Sequence, residues 1–199
     1  MQASSQQVED RLIDAEMVRR TLAGDTTGFD ELIHRYQRRA VSVAYRLLGN
    51  THDAMEVCQE AYLRAYRALE SLEDPERFGP WLMRTVSNLS LNFRRARKPS
   101  SPIPVDDCLL PGGEDGMGSD WTASAGMPPD ETLASELGQA ISSAVNELPE
   151  KQRLALILFA IEGMPQKDVA EVLECSVEAV KWHVFQARKT LKGKLADYI

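Results

Sequence analysis

Apolar residues recur along this chain at three- and four-residue steps, broken by short polar stretches. Leu32, Ile33, Tyr36, Ala40, Val43, Ala44, Leu47 and Leu48 fall on one helical face, and Gly49-Asn50 follows as a C-cap would. A second helix starts at once, with Thr51 or Asp53 as its cap. Its inner face is Val57, Ala61, Ala65, Tyr66 and Leu69, which leaves Glu56, Gln59, Glu60, Arg64 and Arg67 outside. Ser71-Leu72-Glu73-Asp74-Pro75 breaks the pattern into a loop. A third helix begins near Phe78 to Trp81, buries Leu82, Val86, Leu89 and Phe93, and ends in the basic run Arg94 to Lys98. A short helix from Asp14 to Leu22 precedes all three. No strand pattern competes, so residues 1–98 are expected to form an all-α bundle.

Between residues 99 and 130 the period disappears. This stretch is rich in Pro, Gly, Ser and Asp and holds no Lys or Arg. Such a composition cannot bury enough surface to offset the entropy of ordering, so it is expected to be a flexible acidic linker, with Trp121 and Leu109-Leu110 as contact points. Helical periodicity resumes over residues 131–199. Glu131 to Leu148 carries Leu133, Leu137, Ile141 and Val145 on one side. Pro149 restarts the chain as a helix whose buried stripe is Leu154, Ile157, Leu158 and Ile161, ended by Gly163. The expected fold is all-α, with two helical domains joined by the linker.

The last two helices of the second domain read as a helix-turn-helix. Pro165 suits a first turn, and Val169, Ala170 and Leu173 give that helix its apolar face. Glu174-Cys175-Ser176 is the turn, with Ser176 a good N-cap. Val177, Val180, Val184, Ala187 and Leu191 are the stripe of the final helix. Lys181, Trp182, His183, Gln186, Arg188, Lys189 and Lys192 lie off the stripe and include the donor-rich types that reach base edges and phosphates in a major groove. Many helix pairs joined by a short turn bind nothing, so the pattern alone leaves both readings open.

Charge sharpens the choice. The 199-residue chain carries a net −7, which argues against a free-standing duplex binder, because affinity comes mostly from neutralising phosphates. The excess is local: residues 99–130 hold six acidic and no basic side chains, whereas residues 1–98 hold 15 basic and 14 acidic. Two basic clusters, Arg84 with Arg94 to Lys98 and Lys181 to Lys194, sit on an acidic chain, so something else is expected to supply affinity. Cys58, Cys108 and Cys175 pair neither with one another nor with the three histidines at metal-binding spacing, and no metal or cofactor is expected. Cys58 and Cys175 read as small buried apolar residues. No apolar run approaches the roughly 20 residues that cross a bilayer, and Met1 to Arg20 is too polar for a secretory signal, so the chain is expected in the cytoplasm without membrane insertion. No nucleophile, phosphate loop or paired carboxylates suggest an enzyme.

Several blocks, in order, carry a resemblance. They are Phe29-Asp30-Glu31-Leu32 with Tyr36, Asp53 to Tyr62, Arg64 to Leu69, Trp81 to Asn88, Leu148-Pro149-Glu150-Lys151-Gln152-Arg153, and the terminal helix-turn-helix. Together they resemble the group IV, extracytoplasmic-function sigma factors of bacterial RNA polymerase, from about Asp14 to Ala196 apart from the linker. The resemblance implies a transcription initiation factor. It would bind polymerase core at the clamp helices of the largest subunit and at the flap, direct it to promoter DNA, and be held in check by an anti-sigma factor.

The resemblance also implies roles for individual residues. Asp53, Glu56, Gln59 and Glu60 would dock on the clamp helices, with Met55 standing where a second acid is common and Cys58 where a branched aliphatic is common. Leu72, Arg77 and Phe78 would shape a pocket for an unstacked base of the minus-10 element, and Arg84 and Asn88 would read it, with Trp81 in the core. Ser176, Lys181, Trp182, His183, Phe185, Gln186, Arg188 and Lys189 would form the minus-35 reader, Phe185 being either a base contact or a buried residue. Many relatives carry Arg or Ser where this chain has Trp182 and His183, which leaves the target sequence open. The linker would lie near the template path or the RNA exit channel. A stand-alone helix-turn-helix regulator is the alternative, and a polymerase-binding accessory protein is a second one.

Overall fold

Helix α2 (Thr27–Leu48) is the pillar against which the first domain assembles. A computed structural model describes residues 2–97 and 136–196, with side-chain surroundings for 8–97 and 140–196. The linker, Leu109, Leu110, Trp121, Cys108 and Leu133, and the side chain of Leu137, lie outside that description. Three helices pack on α2: α1 (Gln2–Leu22), α3 (Thr51–Arg67) and α4 (Phe78–Arg97). Among the described residues there is no strand.

The stripes read from the sequence meet in one core. Leu32, Val43, Leu47, Leu82, Met83 and Val86 are fully buried, each large side chain contributing about 1.5–3 kcal/mol by leaving water. Phe78 stands at its centre, with ring centroids 5.6 Å from Tyr36, 6.0 Å from Trp81 and 6.4 Å from Phe29. Gly79 makes that approach possible, because a Cβ there would collide with the Tyr36 hydroxyl. That hydroxyl instead donates to the buried Asp14 carboxylate at 2.5 Å, while Arg35 Nε donates from 3.0 Å. Burial pushes the Asp14 carboxyl above its ordinary value, and these two donors oppose the shift.

Among the described residues the second domain has four α-helices: α5 (Glu136–Asn146), α6 (Glu150–Ala155), α7 (Gln166–Val172) and α8 (Val177–Lys194). α6 runs into a wide i→i+5 turn over Leu156–Ile161. Gly163 closes the segment with φ 66°, a left-handed conformation that glycine adopts without strain. Ile157, Leu158, Val169 and Val180 form its centre. The buried Arg153 stitches α5 to α6 by donating to the Asn146 carbonyl at 3.2 Å and the Leu148 carbonyl at 3.1 Å.

The structure departs from the sequence pattern at several positions. Helix α1 starts at Gln2 rather than Asp14, and ahead of Asp14 its apolar Val8 and Leu12 are exposed. Asn50, not Thr51 or Asp53, caps α3: its extended backbone turns the side chain to accept from Asp53 N–H at 3.1 Å. Tyr66 is not on the inner face but half exposed, meeting Phe29 edge-to-face with ring centroids 5.0 Å apart. Ile141 faces outward, and Ala144 and Leu148 take the buried positions on that side. Ile161 is exposed because the wide turn rotates it off the stripe of Ile157 and Leu158. Cys58 is buried as expected, whereas Cys175 is only partly so.

Candidate nucleic-acid interface

The face of α8 is built by its cap and its stripe. Ser176 Oγ accepts from Ala179 N–H at 3.1 Å and starts the helix, while Glu174, at φ 50°, turns the chain sharply out of α7. Val180, Val184 and Ala187 are buried and fix the rotation of α8 about its axis. That rotation puts Lys181, Trp182, Phe185, Arg188, Lys189 and Lys192 in solvent, with His183 and Gln186 at the borders. Phe185 is 62% exposed and Trp182 53%, so Phe185 is not a core residue. No ion pair among the described residues engages Lys181, Arg188, Lys189 or Lys192, so this face keeps its positive charge. The His183 ring meets the Trp182 ring edge-on at 5.0 Å, and its partly buried surroundings and Lys151 lower its pKa.

The residues assigned to the minus-10 element are placed differently. Asn88 is exposed on α4, and Arg84 lies one turn before it, half exposed. Leu72 is half-buried against the core. Phe78 is buried in the aromatic cluster, so its ring is not offered to a base in this conformation. Trp81 packs on Phe78 as expected of a core residue, although part of it reaches the surface.

On α3, Glu56 and Gln59 are exposed and Glu60 pairs with Arg64 at 2.5 Å. Asp53 is buried and ion-paired with Arg97, a partner that no local sequence pattern announces. His52, Asp53 and Glu56 bring three ligand-type groups within 4.8 Å of one another. Arg97 already neutralises Asp53, and the positive end of α3 opposes a cation there, so the cluster is a poor metal site.

No periodic pattern in the sequence announces how the two domains meet. Helix α4 packs on α7, and one core cluster runs from Val18 to Val184 across both domains. Asp168 Oδ1 accepts from Arg11 Nη2 at 2.7 Å and from Arg77 Nη1 at 3.0 Å. Arg77 also pairs with Glu171, and Arg84 with Glu174. Ser42 Oγ donates to Glu162 at 2.6 Å, and Arg94 Nη2 donates to the Asn146 carbonyl at 2.9 Å. Both arginines assigned to the minus-10 reader are therefore engaged by carboxylates of the helix-turn-helix. These partners lie some 90 residues apart and leave no periodic trace in the sequence.

Two family models match the chain: Sigma-70 region 2 over residues 32–99, and Sigma-70, region 4 over residues 138–191. The chain is 30% identical over 188 residues to the ECF RNA polymerase sigma-E factor of Haemophilus influenzae, an alignment spanning 94% of this chain and 97% of that one. Among solved structures, CnrH in complex with the cytosolic domain of CnrY aligns with a TM-score of 0.69 at 23% identity, covering 93% of this chain and 98% of that one. The sigma factor RpoE in complex with the anti-sigma factor NepR from Bartonella quintana aligns with a TM-score of 0.59 at 20% identity, covering 84% and 96%. At those identities the structural likeness is one of fold.

Proposed function

The chain belongs to the extracytoplasmic-function sigma factors of the sigma-70 family, and from that membership we propose how its residues share the work of starting transcription. It is a transcription initiation factor that binds RNA polymerase core, directs it to promoter DNA and is regulated by an anti-sigma factor. The bond-forming chemistry belongs to the polymerase, and this chain is not an enzyme. No helix among the described residues is long and apolar enough to cross a membrane, and the chain works in the cytoplasm beside the polymerase.

Residues 1–98 dock on core and read the minus-10 element; residues 131–199 read the minus-35 element; the acidic residues 99–130 join them. The observation that carries this division is the face of α8, where cations unpaired among the described residues surround exposed aromatic rings. On α3, Glu56, Gln59 and Glu60 meet the clamp helices, with Asp53 held by Arg97 as a support rather than a contact. Arg77, Arg84 and Asn88 serve the minus-10 element.

The arrangement of the domains is a resting one. The two promoter elements, as their names state, lie about 25 base pairs apart, or about 85 Å of duplex at about 3.4 Å per step. Here Arg84 of the first reader touches Glu174 beside the second, so the two cannot occupy both elements at once. Thirty-eight residues, the number from 98 to 135, can span at most about 125 Å at about 3.3 Å each, more than the separation of the two elements. Opening also releases Arg77 and Arg84 from Asp168, Glu171 and Glu174. Core and promoter drive the opening because they bind only the separated form.

Co-elution with polymerase core tests the docking face. The chain is expected to run with core through gel filtration, and Glu56→Lys with Glu60→Lys to abolish this without altering the chain's own thermal unfolding. Undiminished co-elution of the double variant would refute that assignment.

A further inference from the structure

The outward face of α8 has an unusual chemistry for a base reader. At 3.6 residues per turn, Lys181, Trp182, Phe185, Arg188, Lys189 and Lys192 fall within an arc of about 120°, with Phe185 near its middle. Phe185 has no hydrogen-bonding group, and Trp182 has a single N–H donor. Neither can make the bidentate pairs by which Arg reads guanine or Asn reads adenine. Both rings nevertheless stand more than half exposed, and the Trp182 ring is braced edge-on by His183 at 5.0 Å.

The cations around them identify the occupant. Lys181, Arg188, Lys189 and Lys192 are exposed and unpaired among the described residues, which suits phosphates on either side of a groove better than another apolar protein face. Within a major groove, the one apolar group that a standard base pair offers is the C5-methyl of thymine. Resting on the assignment of α8 to the minus-35 element, we propose that Phe185 and Trp182 read thymine methyl groups. Specificity at that element then comes largely from methyl contacts, with the cations setting register. The His183 ring holds the indole in place before DNA arrives, which lowers the entropy lost on binding.

A substitution in the DNA tests this without touching the protein. Holoenzyme reconstituted from the chain and polymerase core selects duplexes from a pool randomised across the minus-35 region. The selected duplex is then remade with deoxyuridine in place of each thymine, which removes the methyl and keeps every hydrogen-bonding group. Each methyl read by a ring is expected to weaken binding roughly fourfold when removed, and two roughly fifteenfold. The double variant Trp182→Ser, Phe185→Ser is expected to bind the thymine and deoxyuridine duplexes alike. A specific sequence bound equally with either base overturns the methyl reading and leaves the sigma assignment standing. Unchanged discrimination in the double variant overturns it as well, and so does a loss of core or anti-sigma binding with no thymine preference, which would make the rings a protein contact. Failure to select any sequence overturns the placement of α8 at the minus-35 element itself.

Discussion

Replacing Asp168 by alanine removes the acceptor that ties Arg11 and Arg77 to the helix-turn-helix. Its side chain is only 9% exposed and takes two charge-assisted hydrogen bonds, at 2.7 and 3.0 Å. Such bonds contribute about 1.5–3 kcal/mol each when fully sheltered. Both arginines reach water, with side chains 31% and 24% exposed, so they recover part of their hydration when released. A net loss of about 2–3 kcal/mol for the closed arrangement follows, which moves the closed-to-open ratio about 30- to 150-fold. Glu174→Gln offers the contrast: the Arg84–Glu174 pair is exposed on both sides and contributes at most about 1 kcal/mol. Fluorescence energy transfer between dyes on cysteines placed at the exposed Arg67 and Lys192 reads the equilibrium. Cys108 and Cys175 are replaced by serine for this purpose, whereas Cys58 can stay because burial pushes its thiol up to about 12. Asp168→Ala should lower the transfer strongly, Glu174→Gln hardly at all, and salt should favour the open form. Unchanged transfer in Asp168→Ala, or additive effects of Arg77→Gln and Asp168→Ala, would show that Asp168 does not hold the domains together through Arg77, since groups that bond directly must show coupling.

Three further outcomes follow from the packing and the charges. Gly79→Ala forces a methyl into the Tyr36 hydroxyl and breaks its bond to Asp14, costing about 1–3 kcal/mol in urea unfolding; an unchanged midpoint would show that Tyr36 steps aside freely. Ser176→Ala removes the acceptor of Ala179 N–H and should cost about 1 kcal/mol, with faster amide exchange confined to the start of α8, while Ser176→Asp restores it. Burial and Lys151 hold the His183 pKa below its ordinary 6.5, so the folded state resists a proton that the unfolded chain accepts. Stability is therefore full above pH about 6.5 and declines as pH falls towards the lower folded value; His183→Gln should flatten that part of the profile, and a profile identical to that of the native chain would remove His183 as its cause.

Which parts of the fold were legible in the sequence depended on whether a burial pattern was local. The stripes of α2, α3, α4 and α8 are visible because 3.6-residue periodicity directly records one-sided burial. Ser176 is legible as a cap because it stands alone before a periodic run. Asn50 is not, since Asn50, Thr51 and Asp53 are all capable caps and only the extended backbone at Asn50 decides among them. Ile161 is misread because the wide turn from Leu156 changes the period in mid-helix. The α8 face follows directly from its stripe, down to the exposure of Trp182; Phe185 needed the structure to place it outside the core. The engagement of Arg77 and Arg84 was invisible, because pairing across some 90 residues is a property of how two domains meet.

Promoter recognition belongs to the complex of this chain with polymerase core and not to the chain alone. Run-off transcription and gel-shift on one promoter duplex carrying both elements measure it directly, with core alone, chain alone and the two combined. Defined transcripts are expected only from the combination, with weak, salt-sensitive duplex binding by the chain alone, as its net charge of −7 and closed arginines require. Tight, salt-resistant and specific binding by the isolated chain, or the absence of promoter-directed transcripts with core present, would contradict it.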